Sequence, residues 1–170
     1  AQTPDGWICP CAKEDIPKYD TWAVQLLSKT LLVYYECSKD QRIPIVLYKM
    51  LRNYYELLSS GTISLFDWGK YRWFETFFAL DFLFEQYHEE WIVDLGRILK
   101  GQGVDFSQNV RMWKRPKSEV FLETHIVGIA MMLKAEAVSH GLLGEPYTNQ
   151  AEYFHKILHA YNGTPVETYT

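Results

Sequence analysis

Cysteine is scarce in this chain: Cys9, Cys11 and Cys37 are the only three in 170 residues. An odd and sparse set excludes the disulfide framework of small secreted domains. No second cysteine pair is present to complete a tetrahedral set with Cys9 and Cys11, so their spacing does not make a metal site. Both read as incidental, and Cys37 reads as a small buried apolar residue at a helix end. Basic runs are missing too. With 17 Lys and Arg against 21 Asp and Glu, and a net charge of −4, the sequence lacks the footprint of a nucleic-acid binder. Uninterrupted apolar runs are short. IAMML (129–133) falls far below the length of a bilayer span, so no membrane partner is expected. The opening AQTPDGW has neither the basic nor the apolar region of a signal peptide. A leader is expected to be absent or removed, or the chain to begin inside a longer protein.

What is abundant is aromatic surface, with 6 Trp, 12 Tyr and 9 Phe. The length and the 48% hydrophobic content suffice for one well-cored domain. Helical periodicity runs through the chain. In YDTWAVQLLSKTLLVYYEC, Trp22, Leu26, Leu27, Leu31, Tyr34 and Tyr35 recur on one predicted helix face. After the polar break SKDQR, IPIVLYKMLRNYYELL predicts a second helix. Pro44 stands in its first turn, where a missing N–H is harmless, and Gly61 closes it.

The same pattern then repeats. Residues 70–86 predict a helix, HEE a short link, and residues 91–101 its partner, closed by Gly101 and Gly103. A third pair is expected at 118–140, capped by Ser118, and 148–163, ended by Gly163. Corresponding positions (Tyr19, Trp73, His125) recur roughly every 50 residues, a period that with two helices per unit predicts stacked helical hairpins. The links within hairpins are short and polar. The links between hairpins are long: DGWICPCAKEDIPKYD, TISLFDWGKYRW and VDFSQNVRMWKRPK. Each places an acidic residue (Asp5, Asp67, Asp105) ahead of aromatic and basic ones. Because antiparallel helices alternate direction, these loops are expected at one end of the stack, where a binding site is expected.

The patches PDGWIxP, YDxW before a helix ending YYE, FDWGKYRWFE, GVDF and THIVGIAM resemble, in that order, glycoside hydrolase family 127 and its bacterial relatives, which include β-L-arabinofuranosidases. The resemblance implies an all-α fold, an (α/α)6 barrel of six hairpins with sugar bound at the loop-rich end. Residues 1–170 would then be one partial domain of three hairpins, about half of the ring, and the remainder of the barrel would be its partner. It further implies hydrolysis of terminal glycosidic bonds in plant-type glycans by a bacterial parent protein, periplasmic or extracellular. Family members hold zinc with a glutamate and cysteines, and a cysteine acts as nucleophile. The Glu-x-Cys motif that carries these groups does not occur here. The resemblance therefore implies no cofactor in this segment, zinc only in a full-length parent, no catalytic residue within the chain, and no activity of the segment alone. His125 matches a family histidine. Glu75 matches the glutamate of the family's His-Gln-Glu, whose histidine is replaced by Trp73, and Tyr19 replaces a further histidine.

The residue types in the long loops suit a carbohydrate ligand. Indole faces stack on the apolar face of a sugar ring, and carboxylates accept hydrogen bonds from neighbouring hydroxyls. Asp5, Trp7, Tyr19, Asp67, Trp68, Arg72, Trp73, Glu75 and His125 are the candidate substrate-binding residues, with Tyr71 and Trp113 of similar type. The plainer role stands beside each. Trp22 and Trp73 open helices and can close the hairpin core, and a histidine on an apolar helix is commonly a hydrogen-bonded core residue. Glu75, amid TFFALDFLF, would be costly to bury unused. His155 and His159 have the i, i+4 spacing that can grip zinc on one helix face, but the motif lacks the general-base glutamate and lies on the outer-type helix of its hairpin. A non-catalytic helical-repeat module that binds protein is the alternative reading of the whole chain.

Overall fold

A computed structural model describes residues 2–120 and 124–163, apart from the Lys117 side chain. Among these residues the chain is helical, without strands. It divides into two compact units, 1–103 and 104–170.

The first unit holds two antiparallel hairpins. Helix α1 (Thr21–Ser38) pairs with α2 (Arg42–Ser59), and α4 (Phe77–Tyr87) pairs with α5 (Glu90–Gln102). The hairpins lie side by side, α1 against α4 and α2 against α5. Both short links begin alike. Lys39 and His88 take left-handed backbone conformations, and each N–H bonds the carbonyl four residues back. Pro44 sits in the first turn of α2, and Gly61, at φ +72°, follows its end. Between the hairpins lie a single turn α3 (Trp68–Tyr71), a break at Arg72, and a 3-10 turn Trp73–Thr76. The helix expected over 70–86 therefore starts at Phe77.

The core is built from Leu47, Met50, Leu51, Tyr54 and Leu58 of α2, Phe77, Leu80 and Leu83 of α4, and Ile92, Leu95 and Leu99 of α5. The α2 and α5 sets combine steps of three and four residues and the α4 set recurs every three, so each lies along one helix face. Helix α1 does not follow the expectation. Its buried residues are Thr21, Val24, Gln25, Ser28 and Leu32, whereas Trp22, Leu26, Val33 and Tyr34 are exposed. The reason is what α1 packs on. Gln25 Nε2 donates to the Gly69 carbonyl at 3.2 Å and to Tyr54 Oη at 3.4 Å, and Ser28 Oγ donates to the Gln25 carbonyl at 2.7 Å. Lys29 Nζ reaches Glu75 Oε2 at 2.7 Å. The Gly69 carbonyl and the Glu75 carboxylate thus draw Gln25 and Lys29 of α1 inward, because a buried acceptor left without a donor is costly. Cys37, at the end of this helix, is exposed and not buried as expected.

The second unit contains α6 (Phe106–Trp113), α7 (Ile126–Met132), α8 (Ala135–Leu143) and α9 (Gln150–Asn162). Helix α6 occupies a segment expected to be loop; Asp105 caps it by accepting from Ser107 N at 3.0 Å. It buries Phe106, Val110 and Trp113, and Trp113 meets Phe154 of α9 edge-on at 6.3 Å. The helix expected over 118–140 starts at Ile126 and breaks at Leu133–Lys134, and Ser118 falls in a 3-10 turn instead of capping it. Residues 121–123 of that expectation, and the loop 164–170, lie outside the described residues. Glu136 of α8 holds the start of α9, accepting from Thr148 N, Thr148 Oγ1 and Gln150 N. Burial raises its pKa, but these donors outweigh it and lower the value overall. The combined stretch Ile126–Leu143 reaches the length and apolarity of a bilayer span, a test that core helices of soluble proteins also pass.

The close approach of α1 to the Gly69 turn predicts opposite outcomes for two glycines. A Cβ at Gly69 would strike buried Thr21, whereas one at Gly101, in α5, meets nothing. Gly69→Ala should cost about 1–3 kcal/mol and Gly101→Ala should stabilise by about 0.5–1 kcal/mol. Urea unfolding of both variants checks this.

Candidate functional site

Six tryptophans invite a division by burial. Trp7, Trp73, Trp91 and Trp113 are buried, while Trp22 is 38% exposed and Trp68 is half-buried. These last two line the same cavity, of about 220 Å³, with Phe66, Gly69, Lys18, Asp20 and Asp67. The volume is below the ~300 Å³ at which drug-sized ligand pockets begin, so it suits a group the size of one sugar ring.

Each wall has a local cause. Asp20 caps α1, its Oδ1 accepting from Ala23 N at 3.0 Å, which leaves Oδ2 open to another donor. Trp22 follows in the first turn and points away from the polar interior face. Lys18 is turned toward Asp15, with Nζ 2.5 Å from Oδ2. Asp67 stands at φ +45°, ψ −130° and caps nothing with its side chain. That backbone region suits glycine; a residue with a Cβ pays about 1–3 kcal/mol to occupy it. The strained carboxylate is thus held at the mouth of an aromatic cavity.

The other candidates divide. Arg72 is buried, with its guanidinium 5.9 Å from the Trp68 ring; burial lowers its pKa and Glu75 opposes the shift. Glu75, with a side chain 3% exposed, pairs with Lys29 and joins the second hairpin to α1. The cost of burying it is met inside the fold. Trp73 packs edge-on against Phe74 and Phe77. Trp7 meets Tyr19 edge-on at 5.1 Å and donates from Nε1 to the Cys11 carbonyl at 3.1 Å. Tyr19 stacks on Tyr54, and burial pushes its hydroxyl pKa far upward. Asp5 is at the surface, where Lys13 and then Thr3 lower its pKa to about 2. Trp113, in the second unit, is core. His125, also in that unit, is exposed at the start of α7.

The structure therefore brings together Asp67 and Trp68 with Asp20, Trp22, Phe66 and Lys18. Asp20 and Trp22 were visible in the YDxW patch, but the leucine-rich periodicity assigned Trp22 to the core. Cys9 and Cys11 supply two sulfurs, and among the described residues no group of three or more His, Cys, Asp or Glu converges. His155 and His159 stack at 6.4 Å on α9. Comparisons with protein-family models, with curated proteins and with solved structures find no match.

Two substitutions separate the strained residue from the buried ion pair. Asp67→Gly should stabilise the fold by about 1 kcal/mol after glycine's greater unfolded-state entropy is deducted. Lys29→Met should destabilise it by about 2–3 kcal/mol, below the full cost of breaking a buried pair because Lys29 is partly exposed. Thermal melts of both, beside the unaltered chain, decide the signs.

Proposed function

We propose that this chain is a carbohydrate-binding segment of a glycosidase resembling glycoside hydrolase family 127, acting on terminal sugars of plant-type glycans. One observation carries the reading: the two tryptophans that folding leaves unburied line one small cavity with two aspartates. Trp22 and Trp68 offer ring faces to the apolar side of a sugar, and Asp20 and Asp67 offer acceptors to its hydroxyls. Lys18 supplies a donor. His125 enters the proposed site through the resemblance alone. The barrel is proposed on the same footing. It gives the exposed stripe of α1 a role, because in a ring of hairpins that helix has a neighbour on its outer side.

The stripe also favours a second reading, a helical-repeat module that binds protein. Trp22, Leu26 and Val33 run from the cavity mouth along α1, as an apolar anchor row for a partner helix would.

Calorimetric titration of the 170-residue chain with an α- or β-linked L-arabinofuranosyl oligosaccharide tests the first reading. Binding is expected, weakened about ten-fold or more by Trp68→Ala and by Asp67→Ala, with Leu26→Ala and Val33→Ala neutral. No turnover of aryl arabinofuranosides by the chain is expected. Absence of sugar binding, or binding indifferent to Trp68 and Asp67, would remove the proposal. Turnover abolished by Asp67→Ala would place catalysis within the chain, against it.

A further inference from the structure

The cysteine pair that spacing left incidental is brought into contact by the fold. Cys11 Sγ lies 3.5 Å from Cys9 Sγ, while Cys37 is on the far end of α1 from the Asp20 cap. Cys9 is buried and Cys11 half-buried. Cys9 Sγ also accepts the backbone N–H of Asp20 at 3.4 Å. That amide belongs to the residue that caps α1 and lines the cavity. The loop between them is pinned at both ends, by the Trp7 indole on the Cys11 carbonyl and by the edge contact of Trp7 with Tyr19. The two sulfurs are therefore presented to each other by an ordered loop, and one of them touches the wall of the site.

We propose that Cys9 and Cys11 form a reversible intraloop disulfide by exchange with a small-molecule disulfide, and that its formation is felt at the Asp20 cap. Cys11, the more accessible thiol, loses its proton to water. Its thiolate attacks one sulfur of oxidised glutathione and expels a glutathione thiolate. The Cys9 thiol then loses its proton, attacks the Cys11 sulfur of the mixed disulfide and expels the second glutathione thiolate. Two protein thiols are oxidised by two electrons, and one glutathione disulfide is reduced. The sulfurs close from 3.5 Å to a bond of about 2 Å, so the thiol acceptor of the Asp20 N–H is displaced. Burial, then the Cys9 contact, raises the Cys11 pKa to about 11. Exchange is consequently slow at neutral pH and quickens as pH rises, because the thiolate is the attacking species.

The test uses the 170-residue chain carrying Cys37→Ser, which removes the exposed third thiol, incubated with oxidised glutathione at pH 8.5. Intact mass and thiol titration under denaturing conditions should show loss of two hydrogens and of both thiols, restored by excess reduced glutathione. Cys9→Ser in the same background should stop at a glutathione adduct on Cys11. In the oxidised chain, hydrogen exchange at the Asp20 amide should change at least three-fold, with the α2 and α5 amides unaltered. A chain that retains two free thiols, or that accumulates only glutathione adducts with both cysteines present, overturns the disulfide. A closed disulfide with unchanged exchange at Asp20 overturns its coupling to the cap.

Discussion

The first unit depends on which face α1 turns inward. Gln25 and Lys29 meet the Gly69–Thr76 segment through polar contacts, Gln25 on the Gly69 carbonyl and Lys29 on the buried carboxylate of Glu75, while Thr21 packs close against Gly69. Those partners exist only if the segment between the hairpins approaches α1 closely, which Gly69 permits. An unpaired buried carboxylate costs more than several buried methylenes return. The polar match therefore overrides the apolar count, and the leucines and the tryptophan of α1 are left outside.

The cavity follows from that choice. Turning Trp22 outward places it beside Phe66 and Trp68, and Asp20, spent on one oxygen as a helix cap, keeps the other free. Asp67 completes the mouth at a cost in backbone strain. Strain of this kind persists only where the surroundings enforce it, and it concentrates at sites that bind or react. The same turn of chain thus supplies interior ion pairing through Glu75 and two lining residues of the exterior cavity, Asp67 and Trp68, to which the proposed function gives the recognition role.

Much of the architecture was legible. The all-α class, the two hairpins of the first unit with their short links at 39–41 and 88–89, and the places of Pro44 and Gly61 follow from periodicity and punctuation. Periodicity failed where polar partners lie far along the chain. Nothing local to α1 tells that Gln25 meets Gly69 or that Lys29 meets Glu75. Helix α6 was readable but masked by its polar neighbours: Asp105 is a cap, and Phe106, Val110 and Trp113 keep the i, i+4, i+7 spacing. The acidic residues of the three long loops look alike in sequence yet serve differently. Asp5 pairs with Lys13, Asp105 caps a helix, and Asp67 is held unused at a cavity. Of the nine candidate residues, Asp67 and Trp68 line that cavity, whereas Trp7, Tyr19 and Trp73 are drawn into aromatic packing by their size. Sequence separates such roles poorly, because a tryptophan that stacks on a ligand and one that fills a core are the same residue type.

In the proposed function, Trp22 and Trp68 are the two rings that meet the sugar. The most direct measurement is 19F NMR of the chain labelled with 5-fluorotryptophan, its six resonances assigned by single Trp→Phe substitutions, during titration with methyl α-L-arabinofuranoside and its β anomer. The account predicts saturable shifts of the Trp22 and Trp68 resonances with one anomer or both, while those of Trp7, Trp73, Trp91 and Trp113 stay in place. Shifts confined to the buried tryptophans, or no shift at saturating sugar, would contradict it.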